Sequence, residues 1–571
     1  MKRRVLIIGG VAAGASAATK ARRTDETAEI VMFERGDYVS FANCGLPYYV
    51  AREIVERENL LVVTPEQFRI RHEIDVRLAH EVTRINPREK TIEVRDLQAG
   101  TSRTERYDSL VLAPGASAII PPIPMVNASN VFTMRTIPDM DAAHEYIERM
   151  HPQAATVVGA GYIGVEMVEA LHRRGLQVTL VEKLNQVLPP LDEDMAFMVA
   201  DHIRAEGVDL HLGDGVRSFR GNDNRVGEVE LESGAVIRAD MVIMSIGVRP
   251  DTKLARDAGL QLGVSGAIAV DSRMQTSDPH IWAAGDAVES VHRVTGKPCW
   301  VALAGPASKQ GRVAGANAVG GTMEAPPVLG TSIVRFNEIV AAVTGLNERS
   351  ARTAGYDVES SVIHANQHAG YYPWAELLTI KTVYERQTGR LLGAQVIGNE
   401  GVDKRIDVFA TALTANMRVA DLTELDLAYS PPFGSARDPV NVAGFVSQNQ
   451  LSDAVSPISS TDLHALLGQS PEVQLVDVRT PAEFREKHIR GARLIPVDEL
   501  RKRLGEIDKT RPVVVYCRVG LRGYLASRIL AQNGYSVRNL SGGIRIWRFE
   551  TEADISDAEA KSKYGNDVSR A

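Results

Sequence analysis

Two stretches of this chain repeat one pattern, in which a short apolar run is followed at once by a glycine-rich turn and a helix-prone segment. They are residues 4–14, RVLIIGGVAAG, and residues 155–164, ATVVGAGYIG. A run of this kind is typical of a buried parallel strand, and the helix start that follows can face a pyrophosphate. Because the pattern occurs twice, the chain is predicted to contain two α/β nucleotide-binding folds.

In the first copy, Gly9 permits the tight turn and Gly14 permits close packing of the helix on the strand. The middle glycine of GxGxxG is displaced, since Val11 occupies its place and Gly10 precedes it. The next strand ends at Glu34, at the distance expected for a carboxylate that binds ribose hydroxyls. A tight turn in any α/β protein could have the same glycines. This copy alone therefore leaves open a structural turn that binds no nucleotide.

The second copy is complete, with Gly159, Gly161 and Gly164, and the strand after it ends at Glu182. An acidic residue at that place should repel a 2'-phosphate, which favours NADH over NADPH. Lys183 beside it leaves NADPH open as a less favoured alternative.

Composition limits the remaining possibilities. At 571 residues the chain is expected to form roughly three or four domains, and its net charge of -7 argues against a nucleic-acid or anionic-membrane partner. The apolar run from Val5 to Ile8 is too short for a signal sequence or a membrane span. The three cysteines are widely separated and the histidines lack metal-ligand spacing, so we expect a cytoplasmic protein with no disulfide framework and no metal.

Cys44 lies in SFANCGLPYY, residues 40–49, and has no second cysteine near it. It cannot be half of a CxxC or CxxxxC pair. Small residues, a proline and two tyrosines indicate a turn entering a helix, where a thiol tends towards the nucleophilic thiolate. A small buried hydrophobe is the alternative. Cys299 has no comparable setting and is interpreted as a packing residue.

Two further segments, one after each copy of the glycine pattern, each end in a turn. Residues 107–116, YDSLVLAPGA, read as a strand running into a turn, and residues 239–251 have the same form. In IWAAGDAVE, residues 281–289, Asp286 follows a strand and Gly285. Its carboxylate could accept hydrogen bonds from a nucleotide's sugar hydroxyls, or it could cap a helix.

GGVAAG with Glu34, GAGYIGVE with Glu182, SIGVRP and AAGDA, in that order, resemble the two-dinucleotide-binding flavoprotein disulfide reductases over roughly residues 1–445. SFANCGLPYY is similar to their single-cysteine branch, which includes coenzyme A disulfide reductase, NADH oxidase, NADH peroxidase and NADH-dependent persulfide reductase. The resemblance implies FAD at the first fold, NADH at the second and Cys44 over the flavin. It implies cofactor contacts from Gly9, Gly10, Ala13, Gly14, Glu34, Arg35, Asn43, Ala113, Gly159, Gly161, Tyr162, Ile163, Gly164, Glu182, Gly247, Asp286, Ala302 and Ala304.

Short strands and one helical stretch alternate over residues 331–445, which suits an α+β domain. In the family that this region resembles, such a domain forms the homodimer. Tyr371 and Tyr429 match places where coenzyme A disulfide reductases have a tyrosine that reaches the partner's active-site cysteine. A phenol can hydrogen-bond a thiolate or donate a proton to a leaving thiolate. Interface aromatics without a catalytic role, or Tyr372 in place of Tyr371, remain alternatives.

Basic residues near the first helix suggest a coenzyme A moiety as part of the substrate. Arg22, Arg23 and Arg71 could clamp its phosphates on the way to Cys44, and Ser40 is assigned to the same substrate site. For each arginine, a solvated helix face is an equally good account.

Near the C-terminus, a buried strand is predicted to end at Tyr516 and to enter the loop CRVGLRG. Successive backbone N–H groups near Gly520 form an anion nest, and Arg518 and Arg522 add positive charge. Both features stabilise a thiolate or a bound persulfide at Cys517. With DVRTPAEF and LSGGIRIW, the loop resembles a single rhodanese domain, and its six residues from Cys517 to Arg522 have the sulfur-transferring length.

The predicted fold class is α/β, with two Rossmann-like dinucleotide-binding domains, an α+β dimerisation domain and a C-terminal α/β rhodanese domain. The predicted boundaries are an FAD-binding domain at 1–115 and 250–325, an NADH-binding domain at 116–249, a dimerisation domain at 326–445, a linker at 446–457, the rhodanese domain at 458–555 and a tail at 556–571.

This combination resembles the fused coenzyme A disulfide or persulfide reductases. It implies an FAD-dependent oxidoreductase in which NADH reduces persulfide or polysulfide sulfur through Cys44, with Cys517 handling sulfane sulfur. Coenzyme A persulfide is the expected substrate, and the missing second cysteine suggests that the second sulfur arrives with it. A coenzyme A disulfide reductase is one alternative, and a sulfur-relay protein with a redox-sensing flavin part is another. The tyrosine pair and the fusion disfavour an NADH oxidase or peroxidase.

Overall fold

The computed structural model describes residues 2–452, 455–470 and 472–553. The predicted tail at 556–571 lies outside these residues. The chain divides into two compact units, residues 1–187 with 204–330, and residues 188–203 with 331–571. In the part of the chain that the structure describes, no helix is long and apolar enough to cross a membrane.

Residues 2–330 contain twenty strands and eight helices among those described. In chain order they are β1 (Arg4–Ile8), α1 (Ala12–Thr24), β2 (Glu29–Phe33), α2 (Leu46–Val50), α3 (Pro65–His72), β3 (Ile74–Arg77), β4 (His80–Asn86), β5 (Thr91–Asp96), β6 (Ser102–Arg106), β7 (Ser109–Leu112), β8 (Ala116–Ala118), β9 (Val131–Phe132), α4 (Ile137–Met150), β10 (Ala154–Val158), α5 (Tyr162–Arg173), β11 (Gln177–Glu182), α6 (Glu193–Ala205), β12 (Asp209–Leu212), β13 (Val216–Asn222), β14 (Arg225–Leu231), β15 (Val236–Arg238), β16 (Met241–Met244), β17 (Val248–Pro250), α7 (Lys253–Asp257), β18 (Ile281–Ala283), β19 (Ser290–Val291), β20 (Pro298–Cys299) and α8 (Ala304–Ala318).

The first sheet of the unit formed by residues 1–187 and 204–330 has the order β18-β7-β1-β2-β3, and its strands are parallel. Its central strands, RVLII and EIVMF, are almost entirely buried, as expected for a parallel sheet with both faces covered. Helix α1 packs closely on α8 over one face. The carboxyl ends of β1, β2 and β7 therefore meet at one edge, where Gly9, Glu34 and Ala113 follow directly.

A second parallel sheet repeats this design in the order β12-β11-β10-β16-β9. Helix α5 follows β10, just as α1 follows β1. The prediction of two Rossmann-like folds is confirmed, and in each of them the glycine turn lies at the carboxyl edge of the sheet.

Residues 331–553 hold the remaining elements. They are β21 (Ser332–Phe336), β22 (Ile339–Gly345), α9 (Glu348–Ala354), β23 (Val358–Asn366), β24 (Leu377–Glu385), β25 (Leu391–Gly398), α10 (Val402–Thr414), α11 (Pro439–Leu451), β26 (Pro457–Ile458), α12 (Ser460–Gln469), β27 (Gln474–Asp477), α13 (Pro481–Glu486), β28 (His488–Ile489), β29 (Arg493–Leu494), α14 (Val497–Leu500), β30 (Val513–Tyr516), α15 (Leu521–Gln532), β31 (Val537–Leu540) and β32 (Thr551–Glu552).

The second unit contains an antiparallel sheet, β21-β22-β25-β24-β23, with α10 and α11 packed on it. A parallel sheet follows in the order β26-β31-β30-β27-β29. Its strand β30, VVVY, is fully buried and leads directly into Cys517.

The predicted linker at 446–457 begins too early, because residues 446–451 are the last turns of α11. Asp438 caps this helix by accepting a hydrogen bond from the Val440 amide, and Pro439 occupies its first turn. Ser447 is fully buried, and its hydroxyl lies 2.8 Å from that of Ser361 on β23. Ser447, one of the polar residues that suggested a linker, therefore packs against the sheet.

Candidate active site

The first glycine turn is held by close backbone packing. Gly9 has φ +91°, and a Cβ there would lie 2.1 Å from the carbonyl oxygen of Ala113. A Cβ on Gly14 would lie 1.8 Å from the oxygen of Gly9. Only glycine fits at these two positions, because α1 begins directly against the end of β1.

Glu34 organises the edge beside this turn. Its carboxylate accepts hydrogen bonds from the amides of Gly10, at 2.9 Å, and Gly36, at 2.8 Å. The Ser40 amide donates to the oxygen of Gly10, so Ser40 lies at the same edge. Arg35 is largely exposed, and its guanidinium is 3.7 Å from the carboxylate of Asp251.

The second turn has the same geometry. Gly159 has φ +101°, and a Cβ on Gly164 would lie 1.9 Å from the Gly159 oxygen. Glu182 accepts hydrogen bonds from Ala160, at 2.7 Å, and Leu184, at 2.8 Å. A Cβ on Gly161 would meet nothing within 4 Å. That open space is where the phosphates of a dinucleotide would approach the backbone.

Other residues predicted to contact the cofactors surround these turns. Tyr162 and Ile163 open helix α5, and both are half-buried. Gly247, with φ +109°, accepts a hydrogen bond from the Ile119 amide at 3.0 Å. Lys183, which left the choice of nucleotide open, is paired with Glu232 at 2.9 Å.

Helix α8 packs on helix α1 in the first fold. The Gly285 amide donates to the Gln310 side chain at 3.0 Å, and a Cβ on Gly285 would lie 2.8 Å from that of Ala13. Ala302 precedes this helix and Ala304 is its first residue. The two glycine turns, with the carboxylates of Glu34 and Glu182 beside them at the sheet edges, fit FAD and a pyridine nucleotide.

Cys44 lies in a single 3₁₀ turn, Asn43–Gly45, that leads into helix α2. The Asn43 amide group donates to the oxygen of Arg135 at 3.0 Å, and the Arg135 guanidinium donates to Asp286 at 2.8 Å. The predicted residues Asn43, Cys44 and Asp286 are thus brought together, with Arg135 between them.

Desolvation opposes the tendency towards a thiolate that the helix start gives Cys44. Cys44 is an exposed residue, yet surrounding atoms desolvate its sulfur enough to raise the pKa of the thiol. The negative charges of Glu166 and Asp286 raise it further, and only Arg135 lowers it. Helix α2 has five residues, so few peptide dipoles add up at its N-terminus.

Glu166 is a neighbour of Cys44 that the sequence did not identify. It lies on α5 and accepts a hydrogen bond from the hydroxyl of Tyr48 at 3.3 Å. Tyr48 follows Cys44 by one helical turn. Burial raises the pKa of Glu166 to about 7, and the neighbouring Glu169 adds to this, although the bond from Tyr48 opposes it. Glu166 therefore changes its charge close to neutral pH.

The two predicted tyrosines are brought together by the second unit. Tyr371 and Tyr429 are 77% and 49% exposed, and their hydroxyl oxygens are 3.1 Å apart. This hydrogen bond raises the pKa of Tyr371. The ring of Tyr372 instead packs edge-on against His368. The geometry favours Tyr371 over Tyr372 as the member of the pair.

A buried arginine holds the segments of the two tyrosines in place. Arg405 is 1% exposed and donates to the oxygen of Gln367 at 2.6 Å and to the carboxylate of Asp438 at 3.0 Å. Gln367 precedes the segment that carries Tyr371, and Asp438 ends the one that carries Tyr429. A buried arginine paired in this way is a packing element for both loops.

The assignment of Arg22 to coenzyme A phosphates is wrong. Its side chain is 5% exposed and donates to the backbone oxygens of Glu26, Ala28, His72 and Glu73. Arg22 thus joins the ends of α1 and α3. Arg23 and Arg71, on these same two helix ends, are exposed and remain candidates for phosphate binding.

Cys517 is fully buried at the end of β30, and its sulfur accepts the Gly520 amide at 3.1 Å. Gly520 has φ +106° and precedes helix α15. Arg522 forms two hydrogen bonds of 2.7 Å with Glu483, which the sequence analysis did not identify. Arg518 lies half-buried in the same loop. The loop thus offers one N–H group, that of Gly520, to the sulfur.

Some of the missed residues left a signal in the sequence. Glu166 belongs to the GAGYIGVE motif, and Tyr48 follows Cys44 at helical spacing. Glu483 ends a Thr-x-x-Glu capping box, and both halves of that box form. Arg135 and Arg405 have no such local signal, since long-range contacts alone bring them to their partners.

Comparison with known proteins gives matches along most of the chain. Residues 3–311 match the family model of the pyridine nucleotide-disulphide oxidoreductases, and residues 331–439 match the dimerisation domain of the same family. Residues 459–550 match the rhodanese-like domain. The NAD(P)H sulfur oxidoreductase (CoA-dependent) of Pyrococcus furiosus is 39% identical over 442 residues, which are 77% of this chain and 98% of that protein.

Two solved structures extend the similarity over nearly the whole chain. Reduced CoADR-RHD from Bacillus anthracis has a TM-score of 0.92 at 43% identity, covering 96% of this chain and 98% of the other. The NAD-dependent persulfide reductase from A. fulgidus has a TM-score of 0.90 at 37% identity, covering 95% and 100%. The resemblance inferred from the sequence motifs is confirmed.

Proposed function

Because this chain belongs to the pyridine nucleotide-disulphide oxidoreductases and carries a rhodanese-like domain, we propose that it uses NADH and FAD to reduce persulfide or polysulfide sulfur to sulfide. Coenzyme A persulfide is the proposed substrate. One observation carries this proposal: a single chain combines the one-cysteine turn at Cys44 with a second thiol, Cys517, whose sulfur accepts a loop amide. A symmetric disulfide would not need the second thiol.

The cofactors are assigned to the two glycine turns. The turn of Gly9 and Gly14 would hold FAD, and the turn of Gly159 and Gly164 would hold NADH. Glu182 favours NADH over NADPH, since Lys183 is engaged by Glu232. When bound, the two cofactors supply an electron pair to the sulfur at Cys44.

The sulfur chemistry begins at the Cys44 thiolate. This thiolate attacks the terminal sulfur of the persulfide, the sulfur–sulfur bond of the substrate breaks and the carrier thiol leaves. Two electrons and one proton then cleave the Cys44 persulfide, which releases hydrosulfide and restores the thiolate. Cys517 carries sulfane sulfur to or from this site.

The chain acts as a homodimer in this proposal. The partner subunit's Tyr371 and Tyr429 donate a proton to the leaving thiolate, for which their hydrogen-bonded and exposed hydroxyls are suited. Exposed Arg23 and Arg71 bind the phosphates of coenzyme A. The domain boundaries are those predicted, except that α11 extends to residue 451.

Reduction of coenzyme A disulfide is the second candidate, supported by the 43% identity with CoADR-RHD. In that reaction Cys44 forms a mixed disulfide with coenzyme A, and the tyrosine pair protonates the other coenzyme A thiolate. A sulfur relay with a redox-sensing flavin part would transfer sulfur through Cys517 without NADH turnover on any sulfane acceptor, and the same assay distinguishes it.

The test is anaerobic NADH consumption with sulfide detection, using coenzyme A persulfide, glutathione persulfide, inorganic polysulfide and coenzyme A disulfide as separate substrates. We expect the highest kcat/KM and stoichiometric sulfide with coenzyme A persulfide, and loss of both in Cys44→Ser. Cys299→Ser is the matched control, since burial raises the pKa of that thiol to about 11. Full sulfide release by Cys44→Ser would refute the proposal, and a higher kcat/KM on coenzyme A disulfide would favour the second candidate.

A further inference from the structure

Strand β23 is one of the two edge strands of the antiparallel sheet, and a loop of the rhodanese-like domain lies against it. The Val362 amide donates to the Ser541 hydroxyl at 3.2 Å. His364 Nε2 lies 2.9 Å from the carbonyl oxygen of Gly542. An edge strand presents unpaired backbone groups and side chains that can bind another segment. Both contacts are made by residues 541–542, which follow β31.

The other ring nitrogen of His364 determines its tautomer. Nδ1 lies 2.8 Å from the hydroxyl of Thr379, the residue directly opposite on β24. A carbonyl oxygen only accepts, so Nε2 carries the proton and Nδ1 accepts from Thr379. Burial lowers the pKa of His364 to about 3, and the charges of Arg545 and Arg518 lower it as well, so the ring stays neutral.

The loop held by His364 also holds the backbone around Cys517. The Ile544 amide donates to the oxygen of Cys517 at 2.9 Å, and the Arg545 amide donates to that of Arg518 at 3.2 Å. A Cβ on Gly543 would lie 2.5 Å from the Cys517 oxygen. A shift of this loop therefore cannot leave the position of Cys517 unchanged.

We propose that His364 is a positioning residue for the Cys517 loop, so that sulfur transfer at Cys517 depends on contact between the rhodanese-like domain and strand β23. The same strand leads directly into the segment that carries Tyr371, and it therefore links the two parts of the sulfur site. The proposal rests on the proposed function only in taking Cys517 as the sulfur-handling thiol.

The first measurement uses the full-length, FAD-loaded protein with Cys44→Ser and Cys299→Ser, in which Cys517 is the one remaining cysteine and iodoacetamide alkylation reports on it. The second is sulfur transfer from thiosulfate to cyanide. There the Cys517 thiolate takes the outer sulfur and sulfite leaves, and cyanide then removes that sulfur as thiocyanate. We expect His364→Ala to lower the alkylation rate and the transfer kcat by about 3- to 10-fold, because the buried hydrogen bond that ties the loop to β23 is lost together with the one to Thr379.

Two further substitutions separate positioning from general destabilisation. In His364→Gln the side-chain amide can still donate to the Gly542 oxygen, so most of the rate should return. His364→Asn is too short for that contact and should behave like His364→Ala. His464→Ala is the control, because that ring stacks on Phe549 rather than on the Cys517 loop.

Unchanged alkylation and transfer in His364→Ala would overturn the proposal, as would equal rates for the Gln and Asn variants or an equal loss in His464→Ala. Both measurements are independent of NADH. They stand even if the proposed persulfide reduction fails, so the two failures are distinguishable.

Discussion

The hydroxyl oxygens of Tyr371 and Tyr429 lie 3.1 Å apart, although 58 positions separate the two residues in the sequence. Both side chains are exposed, and both belong to the segments that Arg405 joins. The fold therefore leaves the two phenols accessible while Arg405 ties their segments together.

We expect Tyr371→Phe and Tyr429→Phe each to lower kcat with coenzyme A persulfide by about tenfold, because a proton donor to the leaving thiolate is lost. KM should change little. Steady-state NADH oxidation measures both quantities. Tyr372→Phe is the control, since that ring packs on His368, and an equal loss in the control would contradict the assignment.

Arg405→Met should lower the free energy of unfolding by about 3 kcal/mol, because the buried Asp438 loses the nearer of its two cationic partners. The substitution should also lower kcat, since the two tyrosine segments are no longer joined. Urea unfolding and NADH oxidation measure the two effects. Lys404→Met is the comparison, because that lysine contacts the same carboxylate at 3.5 Å but is less buried, and it should cost less.

Glu166→Gln should change the pH dependence of Cys44. The pKa of Glu166 is about 7, so below this pH the carboxyl is neutral and above it the negative charge raises the pKa of Cys44. Removing that charge should speed alkylation of Cys44 at pH 8 and leave the rate at pH 6 nearly unchanged. The rate of Cys44 alkylation is measured with iodoacetamide at both pH values in a Cys517→Ser background. A parallel shift at both pH values would show that the substitution acts through structure instead.

Arg23→Ala and Arg71→Ala should each raise KM for coenzyme A persulfide by about 3- to 10-fold, because a phosphate loses one charged partner. KM for inorganic polysulfide should not change, as it has no phosphate. Arg22→Ala should instead lower the melting temperature, since four backbone oxygens lose their donor. Arg69→Ala serves as the exposed control on α3, and a KM effect there would point to general electrostatics.

Glu483 should contribute to stability at neutral pH and not in acid. Burial alone would raise its pKa, but the bonds from Arg522 and Thr480 outweigh burial and lower the pKa to about 2. Because the folded-state pKa lies below the unfolded one, the contribution is present above pH about 4.5 and is lost as the pH falls towards 2. Glu483→Gln should cost about 2 to 3 kcal/mol at pH 7. Calorimetry at pH 7 and pH 3 should show the difference shrinking.

The sequence predicted some features of the site well. The two glycine turns were predictable because backbone sterics at Gly9, Gly14, Gly159 and Gly164 require glycine, whatever else the fold contains. The tyrosine pair was predicted from a family resemblance, and the structure brings the two hydroxyls together.

Other expectations failed because they needed knowledge of burial. Arg22 and Arg23 are adjacent and chemically identical, yet one is buried among backbone oxygens and the other is exposed. Polar residues of α11 suggested a linker, but Ser447 finds hydroxyl partners inside the sheet. Local composition does not show which face of a helix meets the core.

By itself, the sequence determined the two nucleotide folds, the single cysteine at position 44 and the loop after Cys517, because local backbone geometry and spacing carry that information. Only the tertiary structure decided the charge state around Cys44, since Glu166 and Arg135 reach it from distant segments. Only the tertiary structure brought His364 to Gly542. Desolvation and long-range hydrogen bonds depend on the whole fold, so they cannot be predicted from a local sequence pattern.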